Sequence, residues 1–170
     1  MKEFFVAVIL IMAFMTYSET AYAGQFVSYE IPEKYVDSGG DFPEEIQKFA
    51  FLQCEENGVP YSLIIAMIEV ESGYQNDVMS SCGAVGYMQI IEKWHKEELR
   101  SNGYDTARKP EANIAVGVDI MASLLSTYDT EQALVIYNAG FSALKDGTKS
   151  TPYSREVLRR QKELEREMSI

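Results

Sequence analysis

From Phe42 onward, apolar residues recur at helical spacing in blocks separated by short polar or glycine-bearing breaks. Phe42-Pro43-Glu44-Glu45 predicts a helix start, since proline and acids suit a first turn. That helix runs through Ile46, Phe49, Ala50 and Leu52 to about Glu56, and Asn57-Gly58 stops it. Val59 to Ser62 opens a central helix that closes near Ser72-Gly73. Residues 74–86 are turn-rich without a sustained period and predict a loop or short hairpin. The apolar run from Tyr87 to Ile91 predicts a helix continuing through Trp94 to Leu99, broken by Ser101-Asn102-Gly103. Ile114, Gly117, Met121, Leu124 and Leu125 mark another helix, out to Tyr128, and mid-helix Gly117 points to close packing there. A further helix spans Thr130 to Gly140, with Thr130 as its cap and the glycine as its stop. Residues 142–151 read as a polar loop. Pro152 to Met168 reads as a charge-rich helix with Val157, Leu158, Leu164 and Met168 inside. The pattern predicts a mainly α single domain.

The central helix carries the first candidate chemistry. Glu71 falls on the same stripe as Ile64, Met67 and Ile68, whereas Glu69 points about 160° away on the same wheel. A carboxyl on an apolar stripe has its pKa raised by burial and stays protonated near neutral pH, as a general acid must. This stretch alone also fits an exposed carboxylate at a helix end, and both readings stay open.

The chain has 170 residues, enough for one domain with a proper core. A formal charge of −11 argues against nucleic acid and against anionic lipid surfaces as partners. Residues 1–23 read as a signal peptide: Lys2, an apolar run from Phe4 to Met15, and a small-x-small pattern at Ala21-Tyr22-Ala23. The run falls short of the roughly 20 residues that span a bilayer, so export without stable membrane insertion is expected. Glu3 weakens the positive start and leaves an uncleaved anchor as the alternative. Residues 24–43 read as a flexible lead-in, and 44–168 as the functional domain. In an oxidising compartment Cys54 and Cys82 could be bridged; two buried, unpaired thiols is the other reading. With one histidine, His95, they do not make a zinc site, and neither metal nor cofactor is expected. His95 lacks the partners of a nucleophilic triad and is expected at the surface of a polar helix.

Four stretches occur in order: Glu71-Ser72-Gly73; Ser80 to Ile90, reading Ser-Ser-Cys-Gly-Ala-Val-Gly-Tyr-Met-Gln-Ile; Asn113 to Gly117, reading Asn-Ile-Ala-Val-Gly; and Ala133 to Gly140, ending Tyr-Asn-Ala-Gly. Together they resemble the catalytic domain of soluble lytic transglycosylases, over roughly residues 44–160. The resemblance implies a lysozyme-like (goose-type) helical fold with at most a small β-hairpin beside the cleft. It implies cleavage of the β-1,4 bond between N-acetylmuramic acid and N-acetylglucosamine in peptidoglycan, with a 1,6-anhydro product. Glu71 matches the catalytic acid. Because the sugar's own 6-hydroxyl is the nucleophile, the second carboxylate of ordinary glycosidases is dispensable. Glu69 and Asp77 are then expected to be solvated.

By the same resemblance, Met88 and Gln89 line the sugar site, Met88 having the core as its alternative place. Ser80 faces the cleft, with Ser81 one step away in register. The Tyr137 hydroxyl reaches the acid, Asn138 neighbours it as a signature residue, and Tyr153 is an aromatic that closes the site. Tyr87, Phe141 and Asp119 depart from the family pattern, Tyr87 being expected beside the cleft. A hydrolytic muramidase and a non-catalytic glycan binder are the competing functions. The implied partner is peptidoglycan in the periplasm, cell wall or outside the cell, in remodelling, in a secretion or conjugation apparatus, or in phage entry.

Overall fold

The computed structural model describes residues 42–167. The expected signal peptide, nearly all of the lead-in and Met168 lie outside the described residues. Six helices are found among them: α1 (Glu44–Asn57), α2 (Tyr61–Ser72), α3 (Lys96–Ser101), α4 (Pro110–Leu125), α5 (Thr130–Lys145) and α6 (Pro152–Glu167). The only β structure among these residues is a pair of isolated antiparallel bridges, Met79 to Val85 and Val85 to Ile90. No described helix is long and apolar enough to cross a membrane.

α2 is the hub, packed on α6 and α1, while α4 joins α1, α3 and α5. Every residue of α2 from Tyr61 to Ile68 is buried, so this helix has no solvent face until its last turn. Leu63, Ile64, Ile65, Met67 and Ile68 are fully inaccessible. Burying each such side chain contributes roughly 1.5–3 kcal/mol before chain entropy is subtracted. Gly73 ends the helix in the left-handed region (φ 59°), its N–H returning to the Glu69 carbonyl, as a residue without Cβ does cheaply. Because the helix stops there, Glu69 to Ser72 sit half-buried at the edge of the core.

α1 and α2 form where their composition and flanks predict. Phe42, assigned to the lead-in, is instead a core residue: it stacks on Tyr74 at 5.6 Å and meets Tyr87 edge-on at 4.9 Å. Tyr87 is thereby buried in the core rather than placed beside the cleft. The cap of α5 is Asp129, whose carboxylate accepts from the Gln132 N–H at 2.9 Å, and not Thr130. Gly140 (φ 78°, ψ 168°) is a kink rather than a terminus: the chain turns there and resumes helical form to Lys145. α6 is started by a reciprocal cap, Thr151 Oγ1 accepting from Ser154 N–H at 3.0 Å and Ser154 Oγ from Thr151 N–H at 2.9 Å. Val157 and Leu164 form its buried face, and Leu158 is half-buried.

The largest departure concerns residues 87–99. Helical structure appears only from Lys96, and Val85 to Ile90 form a tight, bridged turn. Tyr87, Met88 and Ile90 of the apolar run are buried by tertiary contacts, which periodicity cannot distinguish from a helix. Its backbone also departs from helical form, with Gly86 at φ 76° and Gln89 at φ 50°. A buried side chain from α4 stabilises this. Asn113 Oδ1 accepts from Met88 N–H at 2.7 Å, and Nδ2 donates to the Val85 and Ala107 carbonyls, each at 2.8 Å.

The two thiols are unpaired, which corrects the disulfide reading. Cys54 is buried on α1 and Cys82 is exposed on the loop. Burial first, and the Glu55 charge second, push the Cys54 thiol far above the ordinary thiol range, so it behaves as a small apolar side chain.

Gly117 faces Met88. A Cβ added there would lie 2.2 Å from Sδ and 3.1 Å from Cβ of Met88, which is itself fully buried. Alanine favours a helix over glycine by about 1 kcal/mol. Overpacking typically costs about 1–3 kcal/mol. Gly117→Ala is therefore expected to lower stability despite the better helix former, read as a lower urea midpoint; a higher midpoint would show that Met88 can move aside.

Candidate active site

Two influences set Glu71 apart. It sits in the last turn of α2, half-buried, and burial raises its pKa to about 7, opposed in smaller measure by the Tyr153 hydroxyl. At neutral pH about half of such groups carry a proton, the condition for giving one up and taking one back. Glu69 has another task. Its Oε2 accepts from Arg160 Nε at 2.7 Å and from the Tyr74 hydroxyl at 2.6 Å, fastening α2 to α6. It is not the solvated acid expected, because α6 brings an arginine over that face of α2. Asp77 is exposed, as expected.

Two tyrosines from consecutive helices, Tyr137 on α5 and Tyr153 on α6, flank Glu71. Tyr153 stands in the first turn of α6, directly beside the Thr151–Ser154 cap. Its buried hydroxyl makes no hydrogen bond of ordinary geometry, yet it faces Glu71 closely enough to hold that pKa down. The two observations fit a hydroxyl beside the carboxyl but not aligned with it. Burial first, and the Glu71 charge next, keep the Tyr153 phenol well above its usual range. Tyr137, on α5, is held up by the same two causes in the same order. Its hydroxyl donates to the Met88 carbonyl at 2.7 Å rather than to the acid. The resemblance placed that hydrogen bond on Glu71; the tight turn at 85–90 presents a backbone acceptor instead.

Tyr153→Phe removes the group that lowers the Glu71 pKa. The alkaline limb of the pH–activity profile is expected to move to higher pH. Stability should change little, because the lost hydroxyl was buried without a hydrogen bond. An unmoved limb would detach Tyr153 from Glu71.

A groove of about 450 Å³ adjoins these residues, lined by Gln89, Ile91, Trp94, His95, Tyr137, Asn138 and Phe141 among others. Glu71 is not part of its wall; Tyr137 belongs to both groove and acid. Gln89 occupies the left-handed region, uncommon for a residue with a side chain, and its Nε2 donates to the Gly86 carbonyl at 3.0 Å. That bond leaves the amide oxygen for a ligand. Asn138 is exposed at the groove. His95 caps α3 and lines the groove, with Nδ1 3.4 Å from Glu98, so it is not merely a surface residue of a polar helix.

Met88 and Ser80 fall outside the groove wall. Met88 is fully buried against Gly117, its core alternative having prevailed. Ser80 folds the loop on itself, its Oγ accepting from the Ala84 N–H at 3.0 Å. Ser81 beside it is exposed. Sequence reasoning gave no role to Asn113, Trp94 or Phe141. The signal for Asn113 was an amide embedded among apolar positions of a helix; for Trp94 and Phe141, aromatics beside polar residues rather than in the core pattern.

The arrangement defines a class: a mainly helical, lysozyme-like domain with a half-buried glutamate of raised pKa beside an open groove. Residues 50–156 match the transglycosylase SLT domain, and the chain belongs to that family. Among solved structures it is similar to the lytic transglycosylase Slt of Pseudomonas aeruginosa, determined as an inactive mutant. The two share 21% identity at a TM-score of 0.65, over 81% of this chain and 26% of that one. At this identity the likeness bears on the fold. The chain spans about a quarter of that enzyme's length.

Proposed function

We propose that this domain is an exported lytic transglycosylase that cleaves the β-1,4 bond between N-acetylmuramic acid and N-acetylglucosamine in peptidoglycan. The observation that carries the reading is Glu71, an acid with its pKa lifted by burial to about 7, flanked by two tyrosines beside a groove. Protonated Glu71 gives its proton to the bridging oxygen as the bond from that oxygen to C1 of the muramic acid breaks. The 6-hydroxyl of the same sugar then closes on C1. The ionised carboxyl takes the hydroxyl proton, leaving a 1,6-anhydro end, a new 4-hydroxyl and Glu71 as it began. No water enters the balance.

The engagement of Glu69 elsewhere supports this over hydrolysis. Ordinary glycosidases place a second carboxylate about 5–9.5 Å from the acid to attack the sugar or activate water. The neighbouring acid on α2, Glu69, is committed to Arg160 and Tyr74. A nucleophile belonging to the substrate makes the second acid unnecessary. Gln89 and Asn138 supply amides suited to N-acetyl groups, and Tyr153 sets a hydroxyl beside the acid that tempers its pKa. The neighbour solved as an inactive mutant is itself named a lytic transglycosylase, which is consistent with the assignment.

Digestion of purified peptidoglycan, read by mass spectrometry, tests this directly. Anhydro-ended fragments, lighter than reducing-ended ones by one water, are the expected product. Reducing ends alone would make the domain a muramidase, and intact wall would make it a binder.

A further inference from the structure

Three large apolar side chains are exposed among the described residues: Met79 (61%), Trp94 (66%) and Phe141 (54%). Two of the three, Trp94 and Phe141, border the same groove. Each has a neighbour that restrains it. Lys93 Nζ lies 4.9 Å from the centre of the Trp94 ring, and the Tyr128 ring lies 6.2 Å from that of Phe141 at a tilt of 58°. The non-helical turn at Gly140 (φ 78°, ψ 168°) immediately precedes Phe141. Exposed aromatics gathered at one groove mark a binding surface rather than scattered surface hydrophobicity.

We propose that Trp94 and Phe141 are aromatic platforms that hold sugar rings of an N-acetylated β-1,4 glycan strand at a distance from the scissile bond, setting affinity and chain-length preference. The proposal rests on the reading of the groove as glycan-binding. The occupant follows from the chemistry of the walls. A β-linked pyranose presents a face of C–H groups, slightly positive, to the negative face of an aromatic ring. Its edges carry hydroxyl and N-acetyl groups, which Gln89, His95 and Asn138 along the same groove can bond. Tyr137, which lines the groove, also feels the Glu71 charge, so the groove lies near the acid. Its volume of about 450 Å³ is that of a ligand site rather than a packing defect.

Trp94 is the chain's single tryptophan, so indole emission reports this place alone. The experiment titrates the Glu71→Gln protein with β-1,4-linked N-acetylglucosamine oligomers, following Trp94 emission, acrylamide quenching and heat. Saturable emission change with reduced quenching is expected, and Phe141→Ala should raise Kd roughly five- to tenfold. In the otherwise wild-type protein, Trp94→Ala and Phe141→Ala should raise KM on soluble glycan strands with kcat within about twofold, since neither ring touches the reacting atoms. Oligomer binding that leaves Trp94 emission and quenching unchanged would overturn the proposal. So would an unchanged Kd in Phe141→Ala, the absence of oligomer binding, or shielding of Trp94 by a free stem peptide but not by glycan. If oligomers shield Trp94 while wild-type protein leaves the wall uncut, the platform stands and the catalytic reading fails. Cleavage without shielding reverses that outcome.

Discussion

Glu71→Gln should abolish wall cleavage while making the protein more stable at alkaline pH. The first half follows from acid catalysis: an amide cannot hand over the proton, and loss of a positioned general acid typically costs about 10²–10⁴-fold in rate. The second follows from linkage. The folded-state pKa of Glu71 is raised from 4.5 to about 7, so between those values the folded protein binds more protons than the unfolded chain. Where the native state holds the extra proton, stability falls as pH rises. The loss begins near the unfolded pKa and is complete above the folded one, amounting to roughly 3 kcal/mol for a shift of this size. Glutamine is neutral throughout and escapes it. Thermal melts of both proteins at pH 4.5 and pH 8 should therefore nearly coincide at the lower value and diverge at the higher, with the mutant ahead. A mutant that clears walls at the parental rate would show that Glu71 is not the catalytic acid. One that melts below the parent at pH 8 would show that its carboxyl is not held protonated by burial.

The same pKa makes activity itself pH-dependent. Glu71 must be protonated at the start of each turnover, so the rate should fall as pH rises through about 7. This limb is the one that Tyr153→Phe should displace.

Helix existence was legible wherever composition and flanking signals agreed. α1, α2, α4 and α6 carry a Pro or Gly-bounded apolar period, and these elements form close to where they were expected. Residues 87–99 were not legible, because a run such as Tyr87 to Ile91 is apolar whether a helix buries it or a turn is walled in by its neighbours. What decides between the two is a side chain 25 residues away in sequence, Asn113 reaching Met88. Local periodicity carries no information about such a bond. The separation of Glu71 from Glu69 was legible from helical geometry alone. What each acid meets depended on α6, which contributes Arg160 to one and Tyr153 to the other. Met88 illustrates the limit of motif transfer: its place in the motif is kept, but the empty space beside Gly117 draws the side chain inward.

Asn113→Ala is expected to be the most damaging single change away from Glu71. The residue is fully buried, its oxygen accepts from one backbone N–H, and both hydrogens of its amide nitrogen go to carbonyls. Alanine leaves the Met88 N–H and the Ala107 carbonyl without this partner, while the Val85 carbonyl keeps the Ile90 N–H at 2.9 Å, in a place packed so closely that a Cβ on Gly86 would lie 2.3 Å from the Asn113 nitrogen. Each stranded group costs about 1–3 kcal/mol. A net loss of roughly 2–6 kcal/mol is a large part of the usual stability of a domain. Asn113→Asp retains the acceptor for Met88 but faces two carbonyl oxygens with a buried carboxylate, and should be no better. The damage would reach the site by a definite route, since the Met88 carbonyl is the acceptor for Tyr137 and Gln89 is the next residue. Urea unfolding supplies the stability term, and wall clearance at low temperature, where the mutant remains folded, supplies the functional one. Both should fall together; an unfolding free energy within about 1 kcal/mol of the parent would mean that water or a rearranged loop replaces the amide, and that Asn113 does not hold the turn in place.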